Sequence, residues 1–204
     1  MTQNSDTKNP NHPTKGSKTE VDPIRSEKDI KSIKQFLESH PRDYLLFVLG
    51  INNGIRVGDL LKLRVGDLRY LKAGQVHQIR ESKTGKKNII VVNKSVRKAL
   101  DKYIAANKCD DRDYLFKSAK GENQPIQINH ANKLVKKWTL AINLKQGNYG
   151  AHTLRKTWGY QQRIKFGTGF EILCKRYNHS NPAVTMRYLG IEDKEVHGIL
   201  MNEI

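Results

Sequence analysis

Large apolar residues recur at helical spacing along most of this chain, and the period falls to two in one stretch. Ile30, Ile33, Phe36 and Leu37 predict a first helix that starts near Ser26, with Asp29 completing a weak variant of the capping box. Pro41 ends that helix and opens the next, whose residues 44–49 (YLLFVL) are apolar nearly all round and are therefore expected in the core. Gly54 interrupts the pattern. A further helix follows, with Val57, Leu60, Leu61 and Leu63 turned inward. Residues 75–80 then alternate, 83–86 (KTGK) read as a turn, and 88–92 are β-rich, which together predict a short hairpin. Ser95 is expected to cap a helix running to residue 107. Helices are also expected over 129–142, 153–166, 170–177, 182–188 and 193–202. The fold class that follows is mainly α with a small antiparallel β-sheet, an α+β arrangement, without internal repeats.

Residues 1–23 break from this pattern. They are Asn, Thr, Lys, Ser and Pro with few large apolar side chains, too little to offset the entropy of ordering, so they read as a flexible basic tail before a domain spanning 24–204. In 204 residues there are 37 Lys and Arg against 20 Asp and Glu, a formal charge of +17. Such an excess repels itself in a compact chain unless an anionic partner absorbs it, and nucleic acid is the usual one. Cys109 and Cys174 are far apart and form no CxxC pair, which argues against a disulfide framework or a zinc cluster and suits a reducing cytoplasm. No apolar run is long enough for a membrane span, and the first residues lack the apolar stretch of a signal peptide.

Four segments carry candidate chemistry. In Gly54-Ile55-Arg56-Val57-Gly58-Asp59-Leu60 an arginine opens a helix, where the local potential disfavours it unless it serves a carboxylate or phosphate; a plain Arg56–Asp59 surface pair is the alternative. Glu81-Ser82-Lys83-Thr84-Gly85-Lys86-Lys87 puts three lysines on a hairpin tip, either a phosphate contact or a solvated turn. His152-Thr153-Leu154-Arg155 places two cationic or hydrogen-bonding groups at a helix start, though His152 reads equally as a capping histidine. Asn178-His179-Ser180 is followed nine residues after His179 by Tyr188, with one short helix between; Tyr188 taken alone reads as a core aromatic.

In this order and spacing, the four segments closely resemble the tyrosine recombinase (phage integrase) family, over residues 24–204. That family carries an arginine in a G-[LI]-R-x-x-[ED]-L helix, a lysine on a hairpin, H-x-[LF]-R, and [LG]-H-[SN] with a tyrosine nine residues on. Lys83 is preferred to Lys86 and Lys87 because Ser-Lys-Thr-Gly matches the family hairpin. Asn178 stands where a glycine is common, Lys156-Thr157-Trp158 where His-Thr-Phe is usual, and Asp59 where many relatives have Glu.

The resemblance implies a tyrosine recombinase catalytic-domain fold without the N-terminal core-binding domain. It also implies a site-specific recombinase or integrase that cleaves and rejoins double-stranded DNA through a 3′-phosphotyrosyl link, with neither cofactor nor metal. Tyr188 is then the nucleophile, Arg56 and Arg155 the phosphate clamp, His179 a further phosphate contact, and His152 a group that assists or orients the phenol. Lys83 is the general acid, and Asp59 steadies Arg56 or a histidine from behind. The expected assembly is a homo-oligomer on DNA, a tetramer in synapsis, in the cytoplasm and associated with the nucleoid. A type IB topoisomerase-like enzyme that relaxes DNA shares the same five-part site, and a basic DNA-binding module without activity is the alternative of a different class. The closing helix over 193–202 packs either on its own domain or on a neighbouring protomer.

Overall fold

The computed structural model describes residues 20–191 together with 201 and 203. The order is α1 (Glu27–Phe36), α2 (Pro41–Asn53), α3 (Val57–Leu60), α4 (Val65–Arg69), β1 (Val76–Arg80), β2 (Lys87–Val91), α5 (Lys94–Ala106), α6 (Ile128–Ala141), α7 (Ala151–Phe166), α8 (Phe170–Tyr177) and α9 (Pro182–Leu189). The expected mainly helical fold with one small sheet is the observed one. The expected helix over 193–202 falls outside the described residues, apart from Met201.

Helix α2 is the hub. Its apolar run is buried from Leu45 to Leu49, and α5 and α7 pack along it while α1 and α6 close the other side. Gly50 allows the closest approach: a Cβ there would lie 2.8 Å from Cδ1 of Leu154 on α7. The helix ends at Gly54, which takes the left-handed conformation (φ +60°), and Trp158 of α7 fills the space a side chain would need. Helix α1 begins at the expected Ser26, whose hydroxyl accepts the N–H groups of Lys28 and Asp29. Just ahead of it the chain is already docked: Ile24 is buried and its N–H donates to the Thr157 hydroxyl at 2.8 Å.

Several boundaries differ from those expected. The helix after Gly54 is a single turn, and a second short helix, α4, follows it. All four residues expected to point inward, Val57, Leu60, Leu61 and Leu63, are buried nonetheless. The break at Leu63 arises because the chain pairs sideways there: Leu115 N–H donates to the Leu63 carbonyl, and Asp67 accepts the Arg64 N–H at the start of α4. Asn93, not Ser95, caps α5, because its side chain reaches the Val96 N–H at 2.9 Å. Helix α7 begins two residues early, at Ala151, since Asn132 of α6 supplies an acceptor for the Ala151 N–H.

The hairpin has the predicted strands, in antiparallel register from Val76 opposite Val91 to Arg80 opposite Lys87. Its connection runs from Glu81 to Lys86 and is closed by Glu81 N–H to Lys86 O and Gly85 N–H to Glu81 O. An isolated two-stranded hairpin is marginal in water. Here Asn53 of α2 holds it by bonds to both the N–H and the carbonyl of Val91, and Arg176 of α8 donates to the Asn88 side chain and the Ile89 carbonyl. A separate small core of Leu173, Tyr177, Leu189 and Ile191, flanked by Trp158 and Tyr188, joins α7, α8 and α9. Among the described residues no helix is long and apolar enough to cross a membrane.

Candidate active site

The six residues singled out from the sequence lie on five elements: Arg56 caps α3, Lys83 sits on the hairpin tip, His152 and Arg155 are in the first turns of α7, His179 follows α8, and Tyr188 is near the end of α9. The fold gathers them. Arg155 is 2 % exposed, and the plane of its guanidinium lies over the Tyr177 ring, 4.7 Å from the centroid. Its Nη2 donates to the Tyr177 carbonyl at 2.8 Å, whereas Nη1 is buried with no hydrogen-bond partner among the described residues. A buried guanidinium N–H without an acceptor is costly unless another group fills the role.

Tyr188 brings its phenol to the same place within its own subunit. The ring meets Tyr177 edge-on at 5.3 Å and His179 edge-on at 5.2 Å, and the Lys156 ammonium caps it at 4.9 Å from the centroid. The hydroxyl is buried and bonds to nothing among the described residues. Burial raises its pKa, and the charges of Arg155 and Arg56, with a smaller hydrogen-bonding contribution from the Arg155 side chain, oppose that rise. Arg155 is thus near enough to favour the phenolate while falling short of hydrogen-bond geometry with it.

His179 stacks on Tyr177 at 5.0 Å, and its Nδ1 lies 3.0 Å from the Thr185 hydroxyl. Burial and then the charges of Arg155 and Arg56 lower its pKa to about 4, so the ring is neutral at neutral pH. Its place follows from Asn178, which ends α8 at φ +56°. Asparagine is one of the few residues that tolerate this left-handed position, which accounts for its standing where a glycine is common. His152, in the first turn of α7, is exposed. Loss of hydration through partial burial lowers its pKa, followed by the charges of Arg155, Arg56, Lys83 and Lys156. Lys83 itself is exposed on the hairpin tip.

Asp59 does not hold Arg56. Its Oδ1 accepts the Ser82 N–H at 3.0 Å, 23 residues away, so it anchors the hairpin, and its Oδ2 is buried without a partner. The carboxylate on Arg56 is that of Glu81: Oε2 lies 2.6 Å from Arg56 Nη1, and the Glu81 side chain is fully buried. Helical spacing points Asp59 along α3, whereas the hairpin folds back over the N-terminus of α3 and delivers Glu81 there.

Sequence reasoning assigned no role to Glu81, Tyr177, Lys156 or Thr185. A carboxylate at the foot of a lysine-rich turn is a weak signal for the first. The others show none, because nothing local marks which aromatic will become the floor of a pocket. Beside the pocket a cleft of about 1170 Å³ opens between α3 and the start of α6, with Arg42, Lys62, Lys120, His130 and Lys133 on its walls. Lys62 also donates to the Ser82 hydroxyl, so this cationic cleft is continuous with the hairpin. Among the described residues no group of three or more His, Cys, Asp or Glu is placed to hold a metal ion.

The arrangement can bind an anion between two guanidinium groups, with a phenol, two imidazoles and an ammonium around it. Comparison with known proteins agrees in both sequence and fold. The chain is 38 % identical to the probable integrase/recombinase YoeC of Bacillus subtilis (strain 168) over 176 residues, covering 85 % of this chain and 91 % of that protein. It is 29 % identical over 167 residues to a tyrosine recombinase of Pseudothermotoga lettingae and 27 % identical over 158 residues to the tyrosine recombinase XerC of Caldanaerobacter subterraneus subsp. tengcongensis. These matches cover 82 % and 76 % of this chain but only 56 % and 43 % of those relatives.

Among solved structures, XerA recombinase superposes with a TM-score of 0.72 at 21 % identity, covering 90 % of this chain and 67 % of that one. XerH in a post-cleavage complex with difH superposes with 0.71 at 18 % identity, covering 91 % and 53 %. The phage integrase family model matches residues 25–195, a span that takes in every described helix and both strands. The chain belongs to the phage integrase family.

Proposed function

We propose that the chain is a site-specific DNA recombinase domain that breaks and rejoins duplex DNA through a 3′-phosphotyrosyl link on Tyr188. The observation that carries this reading is a pair of buried groups without a hydrogen-bond partner among the described residues, on two side chains packed against the same Tyr177 ring: the Tyr188 hydroxyl and Nη1 of Arg155. A scissile phosphodiester accounts for both, since a non-bridging oxygen would accept from Arg155 while the phosphorus stands before the phenol.

In the proposed step the Tyr188 oxygen attacks phosphorus and the bond to the 5′ oxygen breaks. Arg56 and Arg155 hold the charge that builds on the non-bridging oxygens through their planar guanidinium forks. His179, neutral and with Nδ1 accepting from Thr185, carries its proton on Nε2 and donates it as a hydrogen bond to the phosphate. His152 takes the phenol proton, and its lowered pKa leaves it unprotonated and able to do so. Lys83 protonates the departing 5′ oxygen from the hairpin tip. The link to Tyr188 conserves the energy of the broken bond, so attack by another 5′ hydroxyl reverses the step without a nucleotide cofactor. The cationic cleft beside α3 supplies the neighbouring backbone contacts, and exchange between two sites requires further copies of the chain.

The test uses a pool of nicked suicide duplexes of randomised sequence, in which the short fragment released by cleavage diffuses away and traps the adduct. Wild type is expected to give a denaturant-stable protein–DNA adduct, with Tyr188→Phe giving none. Arg155→Ala is expected to lower its formation by several orders of magnitude while retaining much of the salt-sensitive binding. An adduct with Tyr188→Phe would remove Tyr188 from its role. Binding without any wild-type adduct would leave a DNA-binding module.

A further inference from the structure

We propose that Glu81 is a positioning residue for strand cleavage: its carboxylate couples Arg56 to the hairpin turn, so that the phosphate clamp and Lys83 are presented as one unit. This rests on the recombinase reading above and on the assignment of Lys83 within it.

Glu81 is the last residue before the turn, and its side chain is fully buried at the foot of the tip that carries Lys83 two positions later. Three hydrogen bonds converge on its two oxygens. Oε2 accepts from Arg56 Nη1 at 2.6 Å and from the Thr84 hydroxyl at 2.7 Å, and Oε1 accepts from the Asn88 amide at 2.8 Å. The backbone of Glu81 closes the turn through Lys86 and Gly85. One carboxylate thus ties the start of α3 to the turn residue after Lys83 and to the returning strand. Asn88 is in turn gripped by Arg176 at 2.6 Å, which anchors this network to α8, the helix that ends next to His179.

Stability alone does not account for such a group. A buried ion pair offsets its own desolvation poorly, and an apolar residue of similar volume generally does as well or better. What a charged, triply bonded side chain provides is a single geometry. Arg56 needs it, because a long side chain with several rotatable bonds keeps one head-group geometry only when that head group is itself bonded. The hairpin tip needs it too, because a six-residue connection with three exposed lysines is free to move unless its foot is held. Among the described residues Arg56 bonds Glu81 through Nη1, which leaves its other N–H groups for phosphate.

The coupling predicts a chemical signature. Replacing the scissile 5′-bridging oxygen by sulfur gives a leaving group that departs as a thiolate and needs no proton, so an acid that has been lost or misplaced no longer matters. With duplexes recovered from the randomised pool, Lys83→Ala and Glu81→Gln are both expected to form adduct about 100-fold more slowly than wild type on the oxygen substrate, within the range a general acid supplies. On the sulfur substrate Lys83→Ala is expected to return to within several-fold of wild type, and Glu81→Gln to recover the part of its loss that runs through Lys83. A fold defect would not distinguish the two leaving groups. Thr84→Val, which removes one donor from Glu81 at an exposed position, is expected to slow the oxygen substrate about tenfold, in proportion to one hydrogen bond to a charged group, and to be rescued likewise.

Rescue of Lys83→Ala without rescue of Glu81→Gln would overturn the coupling and leave Glu81 acting through Arg56 alone. If Glu81→Gln does not fold, equal rates for Thr84→Val and wild type on the oxygen substrate would overturn it instead. Failure to rescue Lys83→Ala would remove the acid assignment, and with it the coupling. No wild-type adduct at all would remove the recombinase reading itself.

Discussion

Arg155 and Tyr177 hold each other through a reciprocal pair of hydrogen bonds. Nη2 of Arg155 donates to the main-chain carbonyl of Tyr177, and the Tyr177 hydroxyl donates to the main-chain carbonyl of Arg155, each at 2.8 Å across 22 residues. The same tyrosine ring then lies under the Arg155 guanidinium and against both His179 and Tyr188. One side chain therefore registers α7 against α8 and floors the pocket. Tyr177→Phe deletes one arm of the pair and is expected to cost about 1 kcal/mol in chemical denaturation, with the adduct still formed, because the other arm keeps Arg155 in place.

Gly159 tests the same floor from below. A Cβ at this position would lie 2.0 Å from the Tyr177 hydroxyl and 3.0 Å from Cδ2 of Leu189. Gly159→Ala cannot be relieved by a flexible chain end, since the ring is packed on all sides. It is expected to cost about 1–3 kcal/mol and to depress adduct formation more than Tyr177→Phe does. A Gly159→Ala protein as stable and active as wild type would show that the floor is not rigid.

Tyr188→Phe carries an opposite expectation for stability. The hydroxyl is buried and has no partner in hydrogen-bond geometry among the described residues, so deleting it removes a desolvation cost and at most a weak interaction with Arg155. The variant is expected to melt at or slightly above the wild-type temperature while forming no adduct. A clear drop in melting temperature would mean that the hydroxyl has a partner in solution.

Acid should loosen the hairpin before the rest of the domain. Burial alone would raise the Glu81 pKa, but hydrogen bonds from Thr84, Arg56 and Asn88 and the charge of Arg56 outweigh it and lower the value to about 2. A carboxylate with a depressed folded-state pKa contributes stability that is present above the ordinary glutamate value of 4.5 and is lost as pH falls from there through about 2. Amide exchange of the 81–86 turn is expected to quicken over that window in wild type. In Glu81→Gln the added pH dependence should be absent.

His179 gives a second titration of the same sign. Its folded pKa of about 4 is below the unfolded value near 6.5, so the folded state binds fewer protons between those values and loses stability as pH falls through them. An anion placed between Arg155 and Arg56 would offset the two charges that depress it. Following the imidazole carbon-bound protons by NMR, one of the seven histidines is expected to titrate near 4 in the free protein. Binding of a short duplex should move that value upward. No upward movement would place the anion elsewhere.

Local chemistry made much of this legible from the chain alone. Ser26, Pro41 and Gly54 punctuate helices because a hydroxyl cap, a preset φ and a missing Cβ act within one turn, and α8 falls where its apolar spacing placed it. The hairpin was visible because its period differs from everything around it. The two-step break into α3 and α4 was not, because it depends on pairing with residues 111–115, and the cap at Asn93 competed with an equally suitable Ser95.

By itself, then, the order of Arg56, Lys83, His152, Arg155, His179 and Tyr188 determined which side chains were candidates for one anion site, since residue type and spacing are properties of the chain. The tertiary structure alone decided who partners whom. Asp59 went to the Ser82 N–H and Glu81 to Arg56, Tyr177 became the floor, and the Tyr188 phenol turned into the pocket of its own subunit. The pairings of Asp59 with Ser82, Glu81 with Arg56 and Tyr177 with Arg155 lie between groups 22 or more positions apart. They are set by which surfaces meet when α7, α8, α9 and the hairpin pack, and by the need of each buried charge to find a partner there.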